Sequence, residues 1–227
     1  MRSAIRVLQI LSLLLLAGVV GRVWWHFNDG QGTQSRTFDP AFVRLSPLEI
    51  AALPEAVRWD MPMGSEHGAL TYNAQPFRIT RHLGDDLNGI GGMNSDLGDP
   101  VFAAATGRVV YRGIPSPGWG HMIIVAHRVR NLETGAMEVM QSLYAHLDTM
   151  QVEPGQTVHR GQKIGTVGTA FGKYLAHLHF EIRHGPYVFP GVGYADSPLN
   201  CVSPERFVAQ HRGAREEILS QAVEAAP

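Results

Sequence analysis

The sequence predicts a mainly β protein: an antiparallel β-sheet or barrel-sandwich-like domain, with an N-terminal membrane-targeting helix and a short C-terminal helical tail. Three observations predict it. From about Thr71 the chain breaks into short apolar or alternating segments punctuated by glycine, proline, asparagine and aspartate, the texture of antiparallel strands and their turns. A basic flank and an apolar run open the chain. Helical spacing of apolar residues becomes prominent only after Pro204.

At the N-terminus, Arg2 and Arg6 precede an apolar run from Val7 to Gly21, interrupted only by Gln9 and Ser12. This matches the charged and apolar regions of an export signal and disfavours a buried helix of the domain. The run is short for a bilayer span of about 20 residues, but continuation through Arg22 to Trp25 reaches that length, with an arginine that can snorkel and tryptophans suited to the interface. No clear Ala-x-Ala site follows, which favours an uncleaved anchor over a cleaved signal peptide. Residues 1–26 are therefore expected to be a signal peptide or membrane anchor. Residues 27–62, with Gly30, Gly32, Pro40, Pro47 and Pro54 and one helix-compatible stretch at Pro47 to Val57, read as a linker and lead-in to a domain at 63–200.

Within that domain the expected strands are Pro100 to Ala104, Gly107 to Tyr111, Met122 to His127, Glu138 to His146, Lys163 to Val167 and Ala176 to Arg183. A Gly-Gln turn followed by an apolar residue occurs twice, at Gly155-Gln156 and Gly161-Gln162, as at the corners of a small barrel or sandwich. Such turns also occur in biotinyl and lipoyl carrier domains, so they indicate a shape and no chemistry. In the tail, 201–227, Phe207, Val208, Ile218, Leu219, Ala222 and Val223 recur at helical spacing between charged residues.

Composition narrows the function. The 227 residues are 44% hydrophobic and 17% charged, which excludes a disordered chain. The formal net charge is -1 with no block of lysine and arginine, so nucleic acid is not an expected partner. Cys201 is the single cysteine, which excludes an intrachain disulfide and cysteine zinc ribbons, and it reads as a small buried apolar residue. Any metal must use histidine and carboxylate.

Two histidine motifs meet that requirement. In His177-Leu-His179-Phe-Glu181-Ile-Arg183 the residues alternate, so as a strand His177, His179, Glu181 and Arg183 share one face while Leu178, Phe180 and Ile182 face the core. A two-residue step is about 6.6 Å, which suits one imidazole on a metal and the other beside it. His82 and Asp86 lie in a stretch whose Gly84, Gly89, Gly91 and Gly92 argue against a helix, so a strand end entering a loop must bring them together. Asp85 competes with Asp86 as the acidic ligand, and in an extended stretch the two face oppositely. Calcium is disfavoured because Asp86-Leu-Asn88-Gly-Ile90 lacks alternating oxygen ligands beyond the second place. A third histidine, His146, stands in the strand around Tyr144. Three protein ligands leave the fourth position of a zinc ion to water, the pattern of a catalytic site.

These residues resemble the lysostaphin-type zinc metallopeptidases, which cut cell-wall peptides. The resemblance rests on His-x-Gly-x-Asp at 82–86 with its continuation Leu-Asn-Gly-Ile-Gly-Gly, on Leu-Gly-Asp-Pro at 97–100 leading into Ala-Thr-Gly-Arg-Val-Val, on Tyr-Ala-His-Leu at 144–147, on the Gly-Gln turns and on His-Leu-His-Phe-Glu-Ile-Arg at 177–183. It spans about residues 63–200. It implies one Zn²⁺ per chain held by His82, Asp86 and His179, a catalytic pair His146 and His177 whose roles as base and oxyanion stabiliser are exchangeable, and a peptidoglycan peptide as substrate. It also implies the bacterial cell envelope, outside the cytoplasmic membrane, as the place of action, with the N-terminal segment as the membrane contact if uncleaved.

The alternative from the same fold is a non-catalytic wall-binding or hydrolase-activating relative, disfavoured because no ligand is missing. A cytoplasmic sugar-phosphotransferase carrier is disfavoured by the export segment and by Asp86. Neither His-Glu-x-x-His nor Gly-x-Ser-x-Gly is present, so a helical zincin and a serine hydrolase are not supported. The loops Ile114 to Gly120 and Asn131 to Gly135 are expected to rim the substrate groove.

Overall fold

The structure, a computed structural model, describes residues 43–64 and 70–213. Twelve strands and two helices run in the order β1 (Val43–Arg44), α1 (Pro47–Ala51), β2 (Thr71–Gln75), β3 (Asp85–Gly89), β4 (Pro100–Phe102), β5 (Gly107–Gly113), β6 (His121–Arg130), β7 (Met137–Met150), β8 (Thr157–Val158), β9 (Lys163–Val167), β10 (Leu178–His184), β11 (Tyr187–Val188), β12 (Cys201–Val202) and α2 (Pro204–His211). All pairings of these strands are antiparallel. The main sheet has the order β2-β3-β10-β7-β6-β5-β8, with β12 on β10 and β9 linking β4 to β7. The mainly antiparallel β class and the six expected strands are thus present, with shifts at their ends.

The central strands are apolar on both faces. On β6, Ile123 and Val125 enter one cluster with Trp59, Tyr144, Phe180 and Ile182, while Met122, Ile124 and Ala126 enter a second with Leu45, Leu53, Leu143 and Ala145. A strand between two cores has no polar side to show, which explains the unbroken apolar run at 122–126. The lead-in contributes to both clusters through Leu45, Leu53, Ala56 and Trp59. Ser46 starts α1 with a capping box, its hydroxyl accepting from the Glu49 N–H and the Glu49 carboxylate accepting from the Ser46 N–H.

The paired turns are built alike. In each, Gly155 or Gly161 has a left-handed φ, and the glutamine side chain after it accepts the N–H of the residue three earlier, Glu153 or His159. Their glycine N–H groups donate to Val109 O and Ala103 O, which fastens both corners to the strand layer.

The expected N-terminal membrane segment lies outside the described residues, as do Ile218, Leu219, Ala222 and Val223 of the tail. Among the described residues no helix is long and apolar enough to cross a membrane. Ser203 caps α2, the described part of the helical tail, by accepting from the Arg206 N–H. Cys201 is buried, as its sequence context suggests.

Strand β3 departs from expectation. Asp85-Asp86-Leu-Asn-Gly carries little β propensity, yet it is sandwiched between β2 and β10. Its approach depends on Gly84, where a Cβ would stand 2.5 Å from Phe180 O and 2.8 Å from Glu181 Cγ. Relief of glycine's entropy by alanine is worth less than about 1 kcal/mol, whereas overpacking costs about 1–3 kcal/mol. Gly84→Ala is therefore expected to destabilise the fold, seen as a lower denaturation midpoint in urea. An unchanged or raised midpoint would refute the close-approach argument.

Candidate active site

Strand β10 organises the site. Its register sets His179 directly opposite Asp86 on β3 and opposite Ala145 on β7. Cross-strand partners carry their Cβ atoms about 4.5–5.5 Å apart, so Asp86 and His179 are neighbours by pairing alone. Asp86 Oδ1 lies 2.9 Å from His179 Nδ1. His82 arrives from the segment before β3, where Leu83 donates to Gly193 O and His82 bridges Tyr194. The His82 ring donates from Nδ1 to Gln75 O at 3.0 Å, which turns Nε2 inward to 3.0 Å from His179 Nδ1 and 3.2 Å from Asp86 Oδ1. The ligand atoms of these three residues lie within 4.8 Å of one another.

The chemistry of this donor set fits a divalent cation. His179 donates from Nε2 to Glu181 Oε1 at 2.8 Å, so its Nδ1, like Nε2 of His82, presents a lone pair when the ring is neutral. Two lone pairs and a carboxylate oxygen then face one another in a buried pocket, an arrangement only a proton or a cation relieves. Burial opposes charge on His179, but hydrogen bonds to Asp86 and Glu181 raise its pKa to about 9. Burial likewise opposes the Asp86 charge, and the hydrogen bond from His179, with the His82 ring beside it, outweighs that, holding the carboxyl well below the usual range. Two imidazoles and a carboxylate are usual zinc ligands, and a carboxylate behind a ligand histidine is the usual means of fixing its tautomer.

Glu181 and Arg183 are the functional residues that sequence reasoning left without a role. Both are buried, and Arg183 Nε donates to Glu181 Oε2 at 2.5 Å. Burial would raise the Glu181 pKa, but the Arg183 charge and the His179 hydrogen bond lower it to about 2. Their place on the His179 face was readable from the alternation. Their burial was not, because it depends on what covers that face.

His146 and His177 stand beside the cluster with rings 4.7 Å apart. His146 ends a run of β7 with a left-handed φ of 62°, which costs a non-glycine residue about 1–2 kcal/mol. Two contacts hold it there: its backbone N–H and its ring Nδ1 both donate to Trp119 O, at 3.0 and 3.1 Å. Burial, then the neighbouring His179 and His177, push its pKa down to about 3, so the ring is neutral. His177 precedes β10 and donates from Nδ1 to Leu175 O at 2.8 Å. Its Nε2 lies 3.8 Å from Asp86 Oδ1, beside the cluster rather than in it. With both Nδ1 atoms engaged by carbonyls, each ring turns its Nε2 away from its carbonyl.

All five expected residues therefore converge, while Asp85 turns away. Its Oδ1 accepts from Phe77 N–H and its Oδ2 from Glu205 N–H. A cleft of about 310 Å³ opens over the cluster, lined by Asp86, His146, His177 and His179 and walled by Gln75, Ser116, Gly118, Trp119, Tyr174, Val192, Gly193 and Tyr194. The loop Ile114 to Gly120 is a rim, as expected. The loop Asn131 to Gly135 is not: it closes the β6-β7 hairpin at the end remote from His146, where the Asn131 side chain accepts from the Glu133 and Thr134 N–H groups, and it borders a different groove with Phe207 and Gln210. Residues Val192 to Tyr194 carried no sequence signal for this role.

Comparison with known proteins agrees with this architecture. Residues 88–190 match the family model of Peptidase family M23. The lipoprotein NlpD of Yersinia enterocolitica is 44% identical over 87 residues, 38% of this chain and 79% of that protein. The murein hydrolase activator NlpD of Salmonella dublin is 44% identical over 109 residues, 47% of this chain but 26% of that protein, so the chain spans only about a quarter of that longer relative. Among solved structures, the antimicrobial peptidase lysostaphin from Staphylococcus simulans superposes with a TM-score of 0.45 at 22% identity, covering 69% of this chain and 56% of that one. The family match runs through the strands that carry His146 and His179, and most of the Yersinia protein is covered at high identity: this chain belongs to peptidase family M23.

Proposed function

We propose that this protein is a zinc-dependent endopeptidase that hydrolyses peptide bonds of peptidoglycan, in its cross-links or stem peptides. The observation that carries the reading is the convergence of His82 Nε2, Asp86 Oδ1 and His179 Nδ1 beneath a cleft into which two further imidazoles open. These three atoms would hold one zinc ion per chain. Zinc there would polarise a peptide carbonyl and lower the pKa of water towards about 7.

The chain's own residues do the rest. His146 and His177, each with Nδ1 tied to a carbonyl, share the work of taking the proton from the attacking water, returning one to the leaving amine and steadying the developing oxyanion. Water is the nucleophile, so no acyl-enzyme forms. Tyr174 and Tyr194 flank the cleft and offer half-exposed rings to a peptide. Residues 63–200 form the catalytic unit in this reading, residues 27–62 its lead-in and 201–227 its helical tail. The segment 1–26, a signal peptide or membrane anchor in this reading, sends the domain out of the cytoplasm and holds it at the membrane if uncleaved.

A second reading is favoured by the name of one relative, a murein hydrolase activator: a protein that binds the wall or a hydrolase and cuts nothing. Such a module needs neither the three ligands nor two open imidazoles. Their retention supports hydrolysis.

Replacing His82, Asp86 or His179 by alanine is expected to remove zinc and activity together, while His177→Ala keeps the metal and loses turnover. Metal analysis of the purified full chain and its variants tests this, and absence of stoichiometric zinc from the folded wild type would sink the zinc reading. Glu181→Gln is isosteric but removes the charge behind the His179 ring and leaves Arg183 unpaired, and zinc affinity is expected to drop about 10- to 100-fold in competition with a chelator. Mass spectrometry of material released from purified peptidoglycan decides the substrate. New peptide termini are expected, and a zinc-loaded protein that releases none would transfer the case to the activator reading.

A further inference from the structure

The cleft wall packed against Trp119, residues 189–194, leaves β11 without a strand or helix of its own. Loops of this kind are the mobile parts of a site unless side chains tie them down. This one is tied from beneath by a single buried residue. Arg183 sits on β10, between Gln141 of β7 and Cys201 of β12. Its Nη1 donates to Phe189 O at 2.6 Å and its Nη2 to Pro190 O at 2.8 Å, and its guanidinium carbon lies 5.3 Å from the Phe189 ring centroid. At Gly191, a Cβ would come within 2.7 Å of Nη2, so the backbone wraps the guanidinium as closely as glycine permits. The same guanidinium holds Glu181, which holds His179.

From the other side Trp119 Nε1 donates to Gly191 O at 3.2 Å, and Gly193 O accepts from Leu83 N–H. The clamp thus fixes the stretch that leads into Val192, while Tyr194 is held further along by its bridge to His82 and its hydroxyl's bond to Gln75 Oε1.

We infer that Arg183 is a positioning residue that fixes the 189–194 wall to the strand carrying His179, and so sets how an extended peptide seats over the cluster. Lysine cannot replace it, because one ammonium group lacks the planar fork that reaches Glu181, Phe189 O and Pro190 O together. The substrate part of this inference rests on the peptidase reading. The clamp itself does not, and the two are measured separately.

The test is hydrogen exchange on the zinc-loaded full chain, wild type against Arg183→Lys. Exchange in 187–195 is expected to quicken about 10- to 100-fold, the equivalent of losing a hydrogen bond to a charged group, with β6 and β7 unchanged. Zinc is supplied in excess, so that its occupancy matches that of the wild type. On soluble muropeptides the same zinc-saturated variant raises KM about 10-fold or more, as loss of substrate binding requires. Unchanged exchange in 187–195, or quickening spread evenly over the sheet, overturns the clamp. Localised quickening with KM unchanged and kcat lowered overturns its role in seating substrate. If wild type neither cuts nor binds muropeptides, the peptidase reading fails while the exchange result still decides the clamp. Should Arg183→Lys not fold, the uncharged pair Glu181→Gln/Arg183→Met, which leaves no buried charge unpaired, carries the same exchange measurement with the same expected and overturning results.

Discussion

The register of β3 against β10 is the constraint on which the site depends. One residue of slip would turn Asp86 outward and bring Asp85 to His179, because side chains alternate with a period of two. Several contacts forbid the slip. Leu87 pairs with Leu178, and both belong to the larger apolar cluster. Asp85, on the opposite face, spends both carboxylate oxygens on backbone N–H groups, of Phe77 before the motif and of Glu205 in the first turn of α2. Inverting the strand would bury that carboxylate without either donor. The residue that competes with Asp86 in the sequence is what keeps Asp86 in place.

The wider sheet makes the register rigid. Strands β6 and β7 are packed on both faces, and β10 shares one of those faces, with Leu178, Phe180 and Ile182 in the larger cluster. Its other face continues the side on which β7 shows Leu143 and Ala145, but here the side chains are His179, Glu181 and Arg183. A polar row beside an apolar layer has little solvent to fall back on. Each member must be satisfied by the next, since an unpaired polar group in such surroundings costs more than the bond it would make. Breaking a buried ion pair of this kind costs about 3–5 kcal/mol. Stability and site geometry therefore depend on the same contacts.

Much of this was legible in the sequence, for physical reasons that also mark where legibility ends. The strands of the central sheet announce themselves because two-sided burial leaves an apolar run at 122–126 and one-sided burial leaves the alternation at 178–183. The Gly-Gln corners announce themselves because their glycine is left-handed and their glutamine closes the turn. Strand β3 does not, since its β structure is imposed by two neighbours on residues that prefer turns. The Asn131 loop was assigned to the cleft from its turn-forming composition, which is the same at either end of a hairpin. The wall at 192–194 has no chemistry of its own, and its position follows from Arg183, whose burial is a property of the assembled sheet.

Charge balance explains why a carboxylate behind His179 needs a guanidinium behind it. Asp86 contributes one negative charge to the cluster, and the imidazoles none once they act as ligands. A divalent ion on these three atoms would leave the site with one net positive charge, which would suit an electrophilic role. Glu181 alone would cancel that charge while orienting the ring. Paired with Arg183 it orients His179 and adds no net charge, so the tautomer is fixed without blunting any cation the three atoms would hold. The alternating order His179, Glu181, Arg183 along one strand face thus separates two tasks, aiming a ligand and setting the field around it, that a lone carboxylate would force into conflict.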